Sequence, residues 1–283
     1  MPSPNSPAIV ATSWLGERLG SAGLRVLDGS WYLPPQNRDA KSEHRAAHIP
    51  GARFFDIDAI SNQDTPLPHM LPTSEAFGAA VGALGIVNSD HVVAYDGAGL
   101  FSAARVWWMF RAFGHDNVSV LDGGLPKWQA EKRPVEGGEA ATDEQRFDAP
   151  PVRVDLVRTV DQLYAALGGD GEQIVDARSH GRFTGSEPEI RPGIRSGHIP
   201  GSRSLPYTEL IGADGTFLPL DQLREAFARA CVDLDRPVAT SCGSGITASV
   251  LALGLHLLGH EGAAVYDGSW IEWGGRTDLP LEL

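Results

Sequence analysis

The sequence has little cysteine, a deficit of positive charge and no long apolar run. Its only cysteines, Cys231 and Cys242, form no CxxC pair, which argues against a disulfide scaffold or a cysteine zinc site. The formal net charge of −13 argues against nucleic acid and anionic membranes as partners, because both would repel the chain. The longest apolar stretch, residues 250–258, is too short to cross a bilayer. We expect no metal, no cofactor, no membrane and no nucleic acid.

The composition is that of a globular protein in a reducing compartment. A hydrophobic content of 42% and a charged content of 21% are typical of a chain with a full core. The first residues, MPSPNSPAIVATSW, show neither the apolar core of a signal peptide nor the arginines of a transit peptide. The sequence therefore predicts a cytoplasmic protein of one large or two ordinary domains.

Several short motifs occur twice, in the same order and 145 to 150 residues apart. Such a repeat predicts a tandem duplication of one domain. A polar segment rich in Gly and Pro separates the copies and is typical of a linker. We predict a first domain at 1–136, a linker at 137–152 and a second domain at 153–283. The paired motifs are Val26–Asp28 with Ile174–Asp176, His48–Gly51 with His198–Gly201, Val120–Gly123 with Val265–Gly268, and Trp128 with Trp273.

Each copy alternates apolar strand patterns with helical patterns. This alternation predicts an α/β fold in which a parallel sheet is covered by helices on both faces. The predicted strands are 24–27, 91–95 and 118–121 in the first copy, and 173–175, 238–241 and 263–266 in the second; the predicted helices are 74–84, 102–113, 160–167, 220–231 and 246–258.

The most informative stretch is 237–259, which contains a strand end, a turn with two glycines and a helix. Cys242 lies on the turn between them. Glycines let the turn fold tightly, so that backbone N–H groups and the start of the helix point into one concavity. The thiolate is the reactive form of cysteine, and such a concavity stabilises negative charge. The pattern indicates a nucleophile rather than a buried core thiol.

The first copy has a different residue at this place. Asp96 aligns with Cys242, and the flanking glycines are kept. A carboxylate cannot act as a sulfur nucleophile, so we predict that the first copy is inactive and the second carries the chemistry.

With these features, the chain resembles the rhodanese superfamily of sulfurtransferases. The loop CGSGITA is similar to the CGSGVTA loop of the 3-mercaptopyruvate sulfurtransferases within that superfamily, with Ile246 in place of Val. The resemblance covers nearly the whole chain. The further similar stretches are Ser30–Pro34, His48–Asp58, Ala104–His115, Leu121–Trp128 and Tyr266–Gly274.

The resemblance implies a two-step sulfur transfer. Cys242 attacks the sulfur of 3-mercaptopyruvate, pyruvate leaves, and the persulfide on Cys242 passes its outer sulfur to cyanide or to a thiol such as thioredoxin or a low-molecular-weight thiol. By the same resemblance Ser244, His69 and Asp58 form a proton relay, with His69 and Asp58 supplied by the first domain. The persulfide would lie against the backbone of a loop whose members are Gly243, Gly245, Ile246, Thr247 and Ala248.

A substrate with a carboxylate calls for arginine, whose planar fork binds both carboxylate oxygens. Arg182 and Arg191 lie in stretches that resemble the one where the family places its two substrate arginines. The alternative is that they solvate a loop, or pair with Glu187 and Glu189, without touching a substrate.

Three other functions fit parts of the pattern. A thiosulfate:cyanide sulfurtransferase would favour a cation in the loop, and residues 243–248 carry none. A cysteine phosphatase of this fold needs an Arg six residues after the cysteine, where this chain has Ala248. A non-catalytic rhodanese-like module that carries sulfur passively usually lacks the cysteine.

Other conspicuous residues are assigned to structure. His48 and His198 occur in both copies, so the HIPG motif is interpreted as a turn that locks the strands. Cys231, at a predicted helix end, is interpreted as a core or boundary thiol. The tryptophans interpreted as packing residues are Trp107, Trp108, Trp270 and Trp273.

Overall fold

The structure, a computed structural model, describes residues 7–139, 142–169 and 171–283. Outside them lie the first six residues of the predicted first domain, residues 140 and 141 of the predicted linker, and residue 170. The chain divides into two compact units. The first contains the described residues of 1–63, 71–153 and 213–216, and the second those of 64–70, 154–212 and 217–283.

The first unit is built on a five-stranded parallel sheet in the order β1-β5-β4-β2-β3. Its central strand β4 is rich in Val and is buried after its first residue, as expected for a sheet covered on both faces. The strands are β1 (Ile9–Val10), β2 (Leu24–Asp28), β3 (Arg53–Phe54), β4 (His91–Tyr95) and β5 (Val118–Leu121). The flanking helices are α1 (Thr12–Gly16), α2 (Ala40–Ala46), α3 (Ile57–Ile60), α4 (Ser74–Ala83), α5 (Ala103–Ala112) and α6 (Gly124–Ala130).

The second unit repeats this sheet with the order β6-β10-β9-β7-β8, so β9 takes the central place that β4 has in the first. The α/β fold with two parallel sheets is therefore confirmed. The strands are β6 (Val157–Arg158), β7 (Gln173–Asp176), β8 (Arg203–Ser204), β9 (Val238–Ser241) and β10 (Ala264–Tyr266). The helices are α7 (Val160–Ala166), α8 (His180–Thr184), α9 (Leu220–Arg229), α10 (Ala248–Leu257) and α11 (Ser269–Trp273).

The HIPG motif fastens a distant segment in each unit. The backbone of His48 exchanges two hydrogen bonds with Glu136 (2.8 and 2.9 Å), and His198 exchanges two with Glu282 (2.8 and 3.0 Å). The motif glycine also donates its N–H to the same glutamate side chain, at 2.7 Å from Gly51 and 3.0 Å from Gly201. These contacts support a structural role for the motif.

The described part of the predicted linker packs on the first unit. Phe147 is buried among the rings of Phe77, Phe110 and His115. Gln145 donates its backbone N–H to Gly82 O on α4 at 2.9 Å. The segment predicted as a linker is therefore anchored to the first unit by a buried aromatic side chain and by a backbone hydrogen bond.

The structure begins and ends most of the predicted elements within two residues of the expected limits. The four two-residue strands β1, β3, β6 and β8 were not predicted, because two residues carry no readable periodicity. The tryptophans assigned to packing are all buried. Cys231 is exposed just beyond the end of α9. Within the described residues, no helix is long and apolar enough to pass through a membrane.

Candidate active site

Cys242 follows the central strand of the second sheet directly. β9 ends at Ser241, and the loop 242–247 leads into α10, which begins at Ala248. Cys242 is only 2% exposed. The predicted strand, turn and helix are confirmed, and they hold the thiol at the carboxyl edge of a parallel sheet, where α/β proteins place their ligand sites.

The equivalent loop of the first unit shows what this turn binds. The carboxylate of Asp96, which is fully buried, accepts five backbone N–H groups at 2.8 to 2.9 Å. One carboxylate oxygen accepts from Ala98 and Gly99, and the other accepts from the start of α5. The loop is thus a nest of donors around a negative charge. The α5 donors are the N–H groups of Phe101, Ser102 and Ala103.

The same five positions in the second unit are 244, 245, 247, 248 and 249, by the offset that aligns Asp96 with Cys242. Two of these N–H groups have protein acceptors: Gly245 donates to Ser269 Oγ (3.0 Å) and Ser249 donates to Ile246 O (3.2 Å). Within the described residues, the backbone N–H groups of Ser244, Thr247 and Ala248 donate to no protein acceptor. The loop therefore has donors that can bind a negative charge from outside the loop.

His69 lies beside the cysteine loop. Its Nδ1 is 2.9 Å from Ser244 Oγ and 3.3 Å from Ser244 O, and the side chain is 2% exposed. The predicted domain limits assign His69 to the first domain, whereas residues 64–70 pack with the second unit. The proline-rich segment cannot form a helix, and it carries His69 to Ser244 in a left-handed turn with φ of 63°. A left-handed non-glycine residue costs roughly 1 kcal/mol or more, which is a frequent feature of functional sites.

Asp58 lies in the other unit, in the first turn of α3. Its Oδ2 accepts a hydrogen bond from Trp31 Nε1 at 3.1 Å. The structure brings Ser244 and His69 together within one unit. The role of Asp58 stays a prediction.

Arg182, on α8, borders the cysteine loop. A Cβ atom placed on Gly243 would lie 3.3 Å from its Nη2, so the guanidinium lies over this glycine. The same Nη2 donates to Glu189 Oε2 at 2.6 Å. Arg182 therefore both pairs with Glu189, as the structural alternative held, and lies at the loop, as the substrate hypothesis requires. Arg191 lies half-buried in the segment after α8, and its role stays a prediction.

Arg178, which was not predicted as a site residue, is fully buried behind this pair. It donates to Asp176 Oδ2 (2.6 Å) and to Glu189 Oε1 (2.6 Å), and its guanidinium lies 4.5 Å from the centre of the Trp270 ring. Glu189 thus bridges two arginines. The sequence did carry a signal for this residue. Arg178 follows Asp176, at the end of a buried strand, by two positions, and a buried carboxylate there needs a cation as its partner.

The described residues offer no group of three or more His, Cys, Asp or Glu side chains that could hold a metal ion.

Two matching α/β units, one with a buried cysteine in its central loop and one with a carboxylate there, define a tandem-domain protein with a single cysteine site. The rhodanese-like domain family matches residues 11–131 and 159–276. The chain belongs to the rhodanese family.

Individual relatives narrow this class. The chain is 46% identical to the mitochondrial thiosulfate/3-mercaptopyruvate sulfurtransferase 1 of Arabidopsis thaliana, over 98% of this chain and 78% of that protein. It is 44% identical to the 3-mercaptopyruvate sulfurtransferase of Rattus norvegicus, over 94% and 91%. The crystal structure of SseA from Escherichia coli, described as a 3-mercaptopyruvate sulfotransferase, superposes with a TM-score of 0.86 at 38% identity, over 94% of this chain and 99% of that one. The chain is a sulfurtransferase with two rhodanese domains.

Proposed function

We propose that this sulfurtransferase takes sulfur from 3-mercaptopyruvate onto Cys242 as a persulfide, releases pyruvate, and passes the outer sulfur to cyanide or to a thiol. One observation carries the proposal. The loop that holds a buried carboxylate in the first unit carries a buried cysteine in the second, with three N–H groups that have no acceptor among the described residues. A persulfide anion on Cys242 extends from the same position as the Asp96 carboxylate and is the charge that this nest suits.

The first step balances as follows. The Cys242 thiolate attacks the substrate sulfur, the carbon–sulfur bond breaks, and its electron pair leaves with carbon as the enolate of pyruvate. The proton of the substrate thiol moves to the enolate carbon, so that pyruvate and the persulfide anion result. Ser244 Oγ and His69 Nδ1, 2.9 Å apart, are suited to carry this proton.

The second step returns the enzyme to its starting state. The persulfide anion first takes up a proton from solvent. Cyanide or a thiolate then attacks the outer sulfur, the sulfur–sulfur bond breaks, and Cys242 leaves as a thiolate. The transferred sulfur releases that proton, so that thiocyanate or the persulfide of the acceptor thiol is formed. Thioredoxin and low-molecular-weight thiols are the acceptors we propose beside cyanide. We also propose that the reaction takes place in the cytoplasm.

The substrate carboxylate is proposed to bind Arg182 and Arg191. Arg182 already lies over the loop, and Glu189 holds one of its nitrogens. A single negative charge suits this pair better than the dianion thiosulfate, because Glu189 neutralises part of the arginine charge and the loop itself has none. Thiosulfate is the second donor we consider, since the Arabidopsis relative bears both names.

The test measures pyruvate release from 3-mercaptopyruvate and thiocyanate formation from thiosulfate, with cyanide as acceptor in both. Cys242→Ser is compared with Cys231→Ser, which removes the exposed cysteine and keeps the loop. We expect mercaptopyruvate to be the better donor by kcat/KM, Cys242→Ser to be inactive, and Cys231→Ser to match the unaltered protein. Mass spectrometry of the enzyme after donor alone should find one added sulfur atom, on the peptide that contains Cys242.

Three results would contradict the proposal. Faster turnover with thiosulfate would overturn the choice of donor. Activity that survives Cys242→Ser, or an added sulfur on Cys231, would overturn the nucleophile. A folded protein that is inactive with both donors would favour the passive carrier module.

A further inference from the structure

Ser269, at the start of α11, has a backbone conformation that serine seldom adopts. Its φ is 52°, in the left-handed region that favours glycine. The equivalent residue of the first unit is Gly124, which has nearly the same φ of 54°. The two residues also hold equivalent places, because the residue after each donates its N–H to the carbonyl of Asp96 (3.0 Å) or Cys242 (2.9 Å). The second unit thus has a serine at a position whose backbone conformation favours glycine.

The serine side chain also needs room that the first unit does not provide. A Cβ atom on Gly124 would lie 2.6 Å from both Asp96 O and Gly99 O. The second unit accepts a side chain at the same turn, at the backbone cost that a left-handed residue other than glycine carries. Such a cost needs a compensating contact.

The hydroxyl of Ser269 is fully used at the cysteine loop. Its oxygen accepts the N–H of Cys242 (3.2 Å) and the N–H of Gly245 (3.0 Å), and it donates its proton to Tyr266 O (2.8 Å). A hydroxyl has two lone pairs and one proton, so all three are engaged. Ser269 Oγ lies 4.0 Å from Cys242 Sγ.

In the first unit, a different group accepts the hydrogen bond from the equivalent loop glycine. The N–H of Gly99, the equivalent of Gly245, donates to Asp96 Oδ1 at 2.8 Å. A cysteine cannot supply this oxygen, so the second unit needs another acceptor for this donor. Ser269 Oγ takes that place, and it fixes the backbone of Cys242 at the same time.

We propose that Ser269 is a positioning residue for Cys242: its hydroxyl replaces the missing carboxylate oxygen, fixes the loop, and so aims the thiol and leaves the other N–H groups for the persulfide. The inference rests on the proposed function in its last clause. It does not require a particular sulfur donor.

The test compares Ser269→Gly with Ser269→Ala in a Cys231→Ser background, so that Cys242 is the only thiol. Both variants lose the hydroxyl, but Gly suits the left-handed backbone and Ala does not. Thr240→Val is the matched control, because it removes another buried hydroxyl. Thr240 lies on β9, and its hydroxyl donates to Ala264 O on β10 at 3.2 Å. The readouts are kcat and KM for 3-mercaptopyruvate, the rate constant of Cys242 alkylation by iodoacetamide, and Tm.

We expect both Ser269 variants to lose about tenfold or more in kcat and in alkylation rate, with KM for 3-mercaptopyruvate within about twofold, because a buried hydrogen bond is worth about one decade. Tm should be higher for Gly than for Ala, although both lose the same activity. Thr240→Val should keep the unaltered rates.

Two results would overturn the role of Ser269. Activity that follows Tm, with Ser269→Gly close to the unaltered protein, would make the residue merely structural. Unchanged alkylation in both variants would show that the hydroxyl does not position the thiol. If the unaltered enzyme releases no pyruvate but the variants still slow alkylation, the proposed donor is wrong and the positioning role stands.

Discussion

The loops after β4 and β9 share one backbone design but differ in what occupies its centre. In the first, Asp96 fills the nest with its own carboxylate and satisfies five N–H groups. In the second, Cys242 leaves three of the five without an acceptor among the described residues, and Ser269 takes one of the others. The same nest of N–H donors stabilises the fold when a side-chain carboxylate occupies it. When no side chain occupies it, the donors can bind a negative charge that forms during a reaction.

The surroundings of the two loops are also related. Arg38 pairs with Glu43 at 2.6 Å and approaches Gly97 O at 3.5 Å, much as Arg182 pairs with Glu189 beside Gly243. In the first unit the Arg38 guanidinium also stacks on Tyr32, with its carbon 3.7 Å from the ring centre. An arginine at the loop is therefore common to both units, and Arg38 is the more exposed of the two, with 36% of its side chain exposed against 17% for Arg182.

The largest effect should come from making the second loop like the first. Cys242→Asp supplies a carboxylate to the nest, so we expect sulfurtransferase activity to fall more than a thousandfold while Tm stays the same or rises. The reciprocal Asp96→Cys should add no second active site, because Ala98 and Gly124 replace Ser244 and Ser269. Pyruvate release and thermal unfolding measure both. A Tm well below that of Cys242→Ser would contradict the equivalence of the two nests.

Much of this comparison could be predicted from the sequence, because the determinants are local. A strand, two glycines and a helix define each loop, and the repeat aligns Asp96 with Cys242. The pairing of His69 with Ser244 was implied by the family resemblance alone, since the burial of His69 depends on contacts with residues far along the chain. Ser269 was not singled out from the sequence, and only its left-handed φ beside Cys242 gives it a role. The one available signal was a serine where the repeat has a glycine.

The next largest effect concerns the stability of the closed nest. Asp96→Ala leaves five buried N–H groups without their acceptor, so we expect the free energy of unfolding to fall by about 3 kcal/mol or more. Asp96→Asn keeps one acceptor oxygen and should cost less. Urea unfolding measures both, with Asp39→Ala as control, because Asp39 is an exposed helix cap and its loss should cost less than the loss of Asp96. Equal losses for Asp96→Ala and Asp39→Ala would mean that the nest tolerates an empty centre.

A smaller effect is expected at the arginine beside the cysteine loop. Arg182→Lys keeps the charge but loses the planar fork, so KM for 3-mercaptopyruvate should rise about tenfold while kcat changes little. Arg146→Lys is the control, since this arginine is exposed and pairs with Asp148 on the surface. A KM equal to that of the control would leave Arg182 as a partner of Glu189 only, as Arg38 is a partner of Glu43 in the first unit.

The smallest effect is a difference between the two units in how their stability depends on pH. Burial, with a contribution from the nearby His115, lowers the pKa of His91 on β4 from its ordinary value to about 4, whereas the aligned residue of the second unit is Pro237, which does not titrate. Between pH 6.5 and 4, His91 binds a proton in the unfolded chain but not in the folded first unit. The contribution of His91 to the free energy of unfolding is therefore complete above pH 6.5 and is lost as the pH falls toward 4.

When the pH is lowered from 7 to 5, the Tm of the His91→Gln variant should therefore fall by a few degrees less than the Tm of the unaltered protein. Gln can keep a hydrogen bond to Ser119 Oγ, which lies 2.8 Å from His91 Nε2, so the packing change at pH 7 should be small. Thermal unfolding across this pH range gives the slope. Equal slopes would mean that His91 does not distinguish the units, and the acid response would have to arise from groups that both units share.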